Sequence, residues 1–283
     1  MLENNHLLYG DGINDDTVAI QALLDRKTAC VYLPPPEKHY RISRTLLIHS
    51  NQELRLDRYS RIKLAPNSDC TMLENADPLN GDRNITLTGG IWDFANLDQY
   101  PNPWQLTHCQ TAPSGPKPEH YSGTALEFRN VNGFRMQGLI IQDPTIFAAT
   151  FHKVTNFTID DIEFDFQHCN PVWANMDGIH LNGSCCYGRI TNLRGNCFDD
   201  LLALNSPEGD YPGPITDIDI DGIQCDCCHS AIRLLSYTEA VKRITIRNIH
   251  GNFYRYMVGI THFLNDVPGP GIFNDIIIEN CFC

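Results

Sequence analysis

The sequence predicts an all-β fold, a single-stranded right-handed parallel β-helix (solenoid) with a short N-terminal capping helix. Three observations carry that expectation. First, an apolar–x–apolar–x–x–apolar pattern recurs at Phe134/Met136/Leu139, Phe157/Ile159/Ile162, Ile218/Ile220/Ile223, Ile244/Ile246/Ile249 and Ile276/Ile278/Cys281, with a weaker copy at Gly188/Ile190/Leu193. Its starts lie 23, 31, 30, 26 and 32 residues apart, the period of units too short to bury their own apolar side. Second, the segments "LRGNCFDDLLALNS", "IQCDCCHSAIRLLS" and "IHGNFYRYMVGITH" align without gaps from Leu193, Ile223 and Ile249. Each ends in a strand with one buried and one exposed face. Third, the repeats are rich in Ile, Thr and Phe, which favours strands over a helical solenoid.

The elements follow in order. Residues 13–26 contain "DDTVAIQALLDR", with Val18, Ala19, Ala22 and Leu23 on one helical face behind an Asp-rich N-cap. A helix there covers strand edges that would otherwise be open. "VYLPPPEKHYRIS" reads as the first strand and corner. Residues 96–122 are expected to form a long loop over one face, because 101–120 is too Pro-rich for regular structure; the loop carries Trp104. The rungs then run on to "NDIIIENCFC", which reads as a rung strand with no cap. A second copy of the chain covering that edge, or a truncation, is the expectation it raises.

A chain of 283 residues, read as one domain over 1–283, can bury a substantial core. No apolar run is long enough to span a membrane, so no membrane partner is expected. The net charge of −13 argues against nucleic acid, whose phosphates need an excess of Lys and Arg. The start, "MLENNHLLYGDG", shows no secretory pattern. A cytoplasmic protein is favoured, with the extracellular alternative left open. The twelve cysteines are expected to be reduced, mostly buried thiols. "CDCCH" with "CC" at 185–186 lacks the paired C-x-x-C units of a zinc site, and no cofactor or metal is expected.

Stacked rungs place equivalent residues about 4.8 Å apart. With "ANMDGIHLNG" set so that Asp177 matches Asp200, one outward ladder runs Asp177, Asp200, Ser230, Tyr256. Its neighbour runs Met176, Asp199, His229, Arg255, and a third runs His180, Ala203, Arg233, Gly259. Ile179, Leu202, Ile232 and Val258 point inward between them. Like charges that close raise the pKa of at least one acid, while His229 and the arginines offset the repulsion. One acid held protonated beside another held ionised is the requirement of acid/base catalysis. Asn175, His180, Arg233, Arg255, Tyr256 and Trp173 flank the acids as candidate substrate contacts, Trp173 as a platform for a sugar ring. Trp92 and Trp104 are further candidates for that role, with core packing the alternative, and His152 and His262 read as structural or incidental.

"YGDGINDDTVAIQALLD" resembles the N-terminal motif of the pectate-lyase-like β-helix superfamily. "NMDGIHL", "FDDLLALNS" and "CHSAIRLLS" are similar, in order, to the Asn-Thr-Asp, Asp-Asp and Gly-His-Gly motifs of glycoside hydrolase family 28, the polygalacturonases and rhamnogalacturonan hydrolases. That resemblance implies a carbohydrate substrate, a pectin-related one among the candidates, and an inverting mechanism. In it Asp199 is the general acid, Asp177 and Asp200 activate water, and His229 supports Asp199. Inverting pairs stand roughly 6.5–9.5 Å apart, a separation expected of carboxylates on adjacent rungs. Met176 stands where the family has Thr, Ser230 where it has Gly, and Leu201 where it has Cys. Its Arg-x-Lys is replaced by Gly259, Ile260 and Thr261, so the resemblance leaves the sugar open. A lyase or epimerase on the same fold, or a non-catalytic glycan-binding tailspike-type β-helix, are the alternatives.

Overall fold

The structure, a computed structural model, describes residues 7–104, 117–262 and 270–283; the centre of the Pro-rich loop, 105–116, lies outside them. The described strands form one 20-stranded sheet, and its pairings are parallel between successive turns of a β-helix. The repeat register is the observed one. Phe134 pairs with Phe157, then Gly188, Ile218, Ile244 and Ile276 in a single column. Gly188 is the weak copy because its neighbour fills the space: a Cβ there would lie 2.1 Å from the Phe157 ring.

One corner explains why the repeats run into Gly, Asn or Asp. Gly89, Gly138, Asp161, Asn192, Gly222, Asn248 and Asn280 follow one another in register and all have positive φ. A left-handed turn suits Gly and tolerates Asn and Asp, so the corner selects those residues on turn after turn.

The helix occupies Thr17–Leu24, and a strand, Asp11–Asp15, takes the place of its expected first residues. Its buried side is Thr17, Ala19, Ile20 and Leu24, and Val18 is exposed, so the expected Val18/Leu23 face is rotated. The larger Ile20 and Leu24, four residues apart, take the core contact. Asp16 does not cap with its side chain; Asp15 Oδ1 accepts from the Thr17 amide at 2.8 Å. Gln21 ties the helix to the coil like a strand residue. Its Oε1 accepts from the Leu47 amide at 2.8 Å, and its Nε2 donates to the Leu47 carbonyl at 3.1 Å.

Cysteine usage departs from the expectation. Cys225 and Cys228 form a disulfide, and of the nine described free cysteines only Cys185 and Cys197 are buried. The reason is a bulge. Asp226 pairs with Asn252 and Cys228 with Phe253, so Cys227, at φ 68°, drops out of the ladder. The strand's alternation breaks there, and Cys228 turns inward against Cys225 instead of outward. No helix among the described residues is long and apolar enough to cross a membrane.

Candidate active site

Strands Ala149–His152, Ile179–Asn182 and Asp200–Asn205 lie side by side with the end of Ile215–Leu235 on one face of the coil. The Asp177 and His180 ladders form on it as expected, whereas the ladder through Asp199 and His229 meets a register shift before Arg255. Asp200 pairs with Ser230 and Ser230 with Tyr256, while the Gly178 amide donates to the Asp200 carbonyl at 3.0 Å and sets Asp177 beside Asp200. Close packing makes the glycine of "NMDGIHL" necessary, since a Cβ on Gly178 would lie 2.4 Å from the Leu201 carbonyl oxygen. Asp199 precedes its strand, and the His229 amide donates to its carbonyl at 3.1 Å.

The three acids have different surroundings. Asp200 is almost fully buried; its Oδ2 accepts from Arg233 Nε at 2.8 Å, and His229 Nδ1 lies 3.4 Å from its Oδ1. Asp177 is buried as well, with its Oδ1 accepting from the Asp200 amide at 3.2 Å and its Oδ2 2.7 Å from His180 Nδ1. Asp199 reaches the open cleft, its side chain 21% exposed against 2% for Asp200. Its Oδ2 accepts from the Asn175 amide at 3.1 Å.

These surroundings spread the proton affinities. Burial, reinforced by the charges of Asp177 and Asp200, pushes Asp199 up to about 7 against the pull of His229 and Arg233. Burial alone would lower His180, but hydrogen bonds to Asp177 and Glu208 carry it up to about 10, so it is a cation at neutral pH. Burial and the Asp200 charge raise Asp177, with His180 pulling the other way. Glu208, despite burial, is held low by His180 and also accepts from Asn205 Nδ2 at 3.0 Å.

Two cavities meet at Asp199. One, of about 580 Å³, runs toward the N-terminal rungs past Asp177, His180, Asn182 and Glu127, with the exposed Trp104 at its mouth. The other, of about 670 Å³, is walled by Trp173, Phe198, His229, Tyr254 and Arg255. Asn175, Asp199, Glu208 and Arg233 line both. Trp173 is 65% exposed and lies on Phe198, centroids 5.4 Å apart and planes 18° apart, an aromatic surface open to a ligand. Trp92 is core.

Every other candidate residue but one falls on these walls. Tyr256 lines neither cavity; it edges His229 at 6.2 Å, and Arg255 lies 5.3 Å over its ring. His152, read as structural, is part of the first wall, its Nε2 3.1 Å from Glu127 Oε1. Glu208, Asn182, Asn205, Phe198 and Tyr254 were not singled out from the sequence. Asn182 and Asn205 carried a usable signal, since each ends its strand one ladder beyond His180 and Ala203. Asp199, Asp200 and His229 each offer a donor atom within 4.8 Å of the others, a set able to hold a cation in competition with Arg233.

The sequence profile described as Glycosyl hydrolases family 28 matches residues 81–251. No curated protein matches the sequence. Among solved structures, the chain is similar to the endo-xylogalacturonan hydrolase of Aspergillus tubingensis, at 16% identity and TM-score 0.63, over 96% of this chain and 73% of that one. It is similar to the family 28 exopolygalacturonase of Yersinia enterocolitica, at 14% identity and TM-score 0.69, over 97% of this chain and 64% of that one. It is also similar to a surface adhesin of Streptococcus pneumoniae, at 14% identity and TM-score 0.67, over 97% of this chain and 70% of that one. At such identities these likenesses speak for the fold alone.

Proposed function

The chain belongs to the glycosyl hydrolases of family 28, and from that footing we propose that it cleaves a glycosidic bond of a pectin-related polysaccharide or oligosaccharide with inversion. The observation that carries this reading is the contrast between Asp199, facing the cleft with its proton held to about 7, and the buried Asp200 salt-bridged to Arg233. Asp199 donates its proton to the glycosidic oxygen as the bond from the anomeric carbon to that oxygen breaks. A water polarised by Asp200 and Asp177 forms the new bond to the anomeric carbon and gives its proton to that pair. The named activities of two structural neighbours, on xylogalacturonan and polygalacturonan, support a pectin-related substrate.

Asp199 and Asp200 offer oxygens within 4.8 Å, tighter than the roughly 6.5–9.5 Å common in inverting pairs. The wider separation is the expectation for carboxylates on adjacent rungs, such as Asp199 and Asp177, whereas Asp199 and Asp200 are consecutive residues. That spacing favours a second reading, retention through an adduct on Asp200 (about 5–5.5 Å is usual there). Burial of Asp200 and its ties to Arg233 and His229 weigh against it as a nucleophile and in favour of water as the attacking group.

The test is a reducing-end assay over a panel of pectic and neutral polysaccharides. The expected result is release of reducing ends at a rate that falls as pH rises through about 7, when Asp199 loses the proton it must donate. Unsaturated, ultraviolet-absorbing products, or a rate flat from about pH 6 to 8, would speak for a lyase or against Asp199 as the acid.

A further inference from the structure

The two halves of the cleft differ in kind. The half beyond Trp173 is aromatic and carries Arg255 and His229. The half toward the N-terminal rungs is acidic and amide-rich, and its charges are already matched within the protein. Glu127 lies 2.7 Å from Arg129 Nη2 and 3.1 Å from His152 Nε2. Glu208 and Asp177 share His180, and Asp200 holds Arg233. Lys117, exposed at the rim, is the remaining cation on this wall among the described residues. A substrate carboxylate entering here would face Glu127 and Glu208.

Uncharged hydrogen-bonding groups are what this wall leaves unused. Thr150 Oγ1, Asn182 Oδ1 and Asn205 Oδ1 are buried and have no hydrogen-bond partner, and all three residues line this same cavity. The three residues are almost wholly withdrawn from solvent, at 2%, 5% and 3% exposure. A buried polar atom left unpaired is costly, and such atoms gathered on one cavity wall mark where a ligand completes the pairing. Asn182 and Asn205 are neighbours on successive rungs, and Thr150 pairs with His180 on the adjoining ladder. Asn182 and Asn205 therefore stand at the inter-rung spacing of about 4.8 Å, close to the distance between hydroxyls across a sugar ring, while Thr150 lies one rung further on and two residues along the strand.

We propose that this half of the cleft is a subsite for an uncharged sugar ring, whose hydroxyls are read by the rung neighbours Asn182 and Asn205, with Thr150 further along the same wall. The inference rests on the hydrolase reading and sharpens it. The scissile bond joins a neutral sugar on this side to a unit held by the aromatic, Arg255-bearing half, so the substrate is a mixed glycan and not a uniform polyuronide.

The experiment measures binding by calorimetry to the Asp199→Asn protein. The ligands are oligosaccharide pairs built from galactose, glucose or xylose-type rings and their uronic-acid counterparts, differing where possible only in CH₂OH against carboxylate at C6. The expected result is roughly tenfold or greater preference for at least one neutral member over its acidic partner, weakened roughly five- to tenfold by Asn182→Ala or Asn205→Ala. Circular dichroism and melting curves confirm that those variants fold. The proposal is overturned if no neutral member binds more tightly than its counterpart, or if both well-folded Asn variants keep full affinity. Binding as expected, with no reducing ends formed by the wild-type protein on the same ligands, would overturn hydrolysis and leave the subsite standing.

Discussion

Asp199→Asn is expected to abolish turnover and, at neutral and mildly alkaline pH, to stabilise the protein. The kinetic loss follows from removing the acid, worth roughly 10²–10⁴-fold. The gain in stability follows from linkage. In the folded chain the carboxyl is pushed to about 7 by burial and two neighbouring carboxylates, whereas an unfolded Asp titrates at about 3.9. Between those values the folded state holds a proton that the unfolded chain has released. Stability therefore falls as pH rises from about 4 to about 7, and above 7 the wild-type protein carries the whole penalty. Three units correspond to on the order of 4 kcal/mol at most, and partial exposure of the side chain reduces it to about 2–4 kcal/mol. The neutral amide does not incur it. Melting temperatures at pH 5 and pH 8 check this: the variant should gain over wild type at pH 8 and little at pH 5. A variant less stable at both, or one whose turnover stays within about tenfold of wild type, contradicts the account.

Arg233→Met is expected to be the most damaging single change near the site. It leaves the Asp200 carboxylate, 2% exposed, without the guanidinium 2.8 Å away. Stranding a buried charge in this way costs about 3–5 kcal/mol. It also removes the guanidinium that helps to hold Asp199 down, so any residual activity should extend to higher pH. The diagnostic is the pair of changes. Adding Asp200→Asn to Arg233→Met removes the stranded charge and should recover most of the stability, while turnover stays lost because the water is no longer activated. Chemical denaturation of the four proteins in that cycle gives the coupling. Additive losses of stability would show that Arg233 and Asp200 do not act as a pair.

Much of this arrangement was legible because a parallel β-helix turns sequence spacing into spatial position. Once Ile218, Ile244 and Ile276 are recognised as one column, Asp200 and His229 fall on adjacent rungs, and Asp177 joins them once it is matched to Asp200. Features that leave the repeat were not legible. Glu208 lies in the turn between Asn205 and Ile215, where no register applies, yet its bond to His180 shapes the proton affinity of the whole site. The Cys225–Cys228 disulfide depends on a bulge at Cys227 that period-two reasoning places on the wrong face. The helix lies within the expected 13–26 but is shorter and rotated, because a face of four residues in an eight-residue helix is weakly specified until Ile20 and Leu24 meet the core. The close approach of Asp199 to Asp200 and to His229, whose Nδ1 lies 3.5 Å from Asp199 Oδ1, is a matter of side-chain direction, which ladder counting does not supply.

The central claim is that Asp199 protonates the leaving oxygen while the buried pair Asp177 and Asp200 sends water to the opposite face of the sugar. Proton NMR of the anomeric region during the first minutes of hydrolysis, before mutarotation, tests it most directly. The account predicts that the newly formed reducing end appears first in the anomeric configuration opposite to that of the cleaved bond. First appearance of the same configuration would contradict it and point to a covalent intermediate on Asp200.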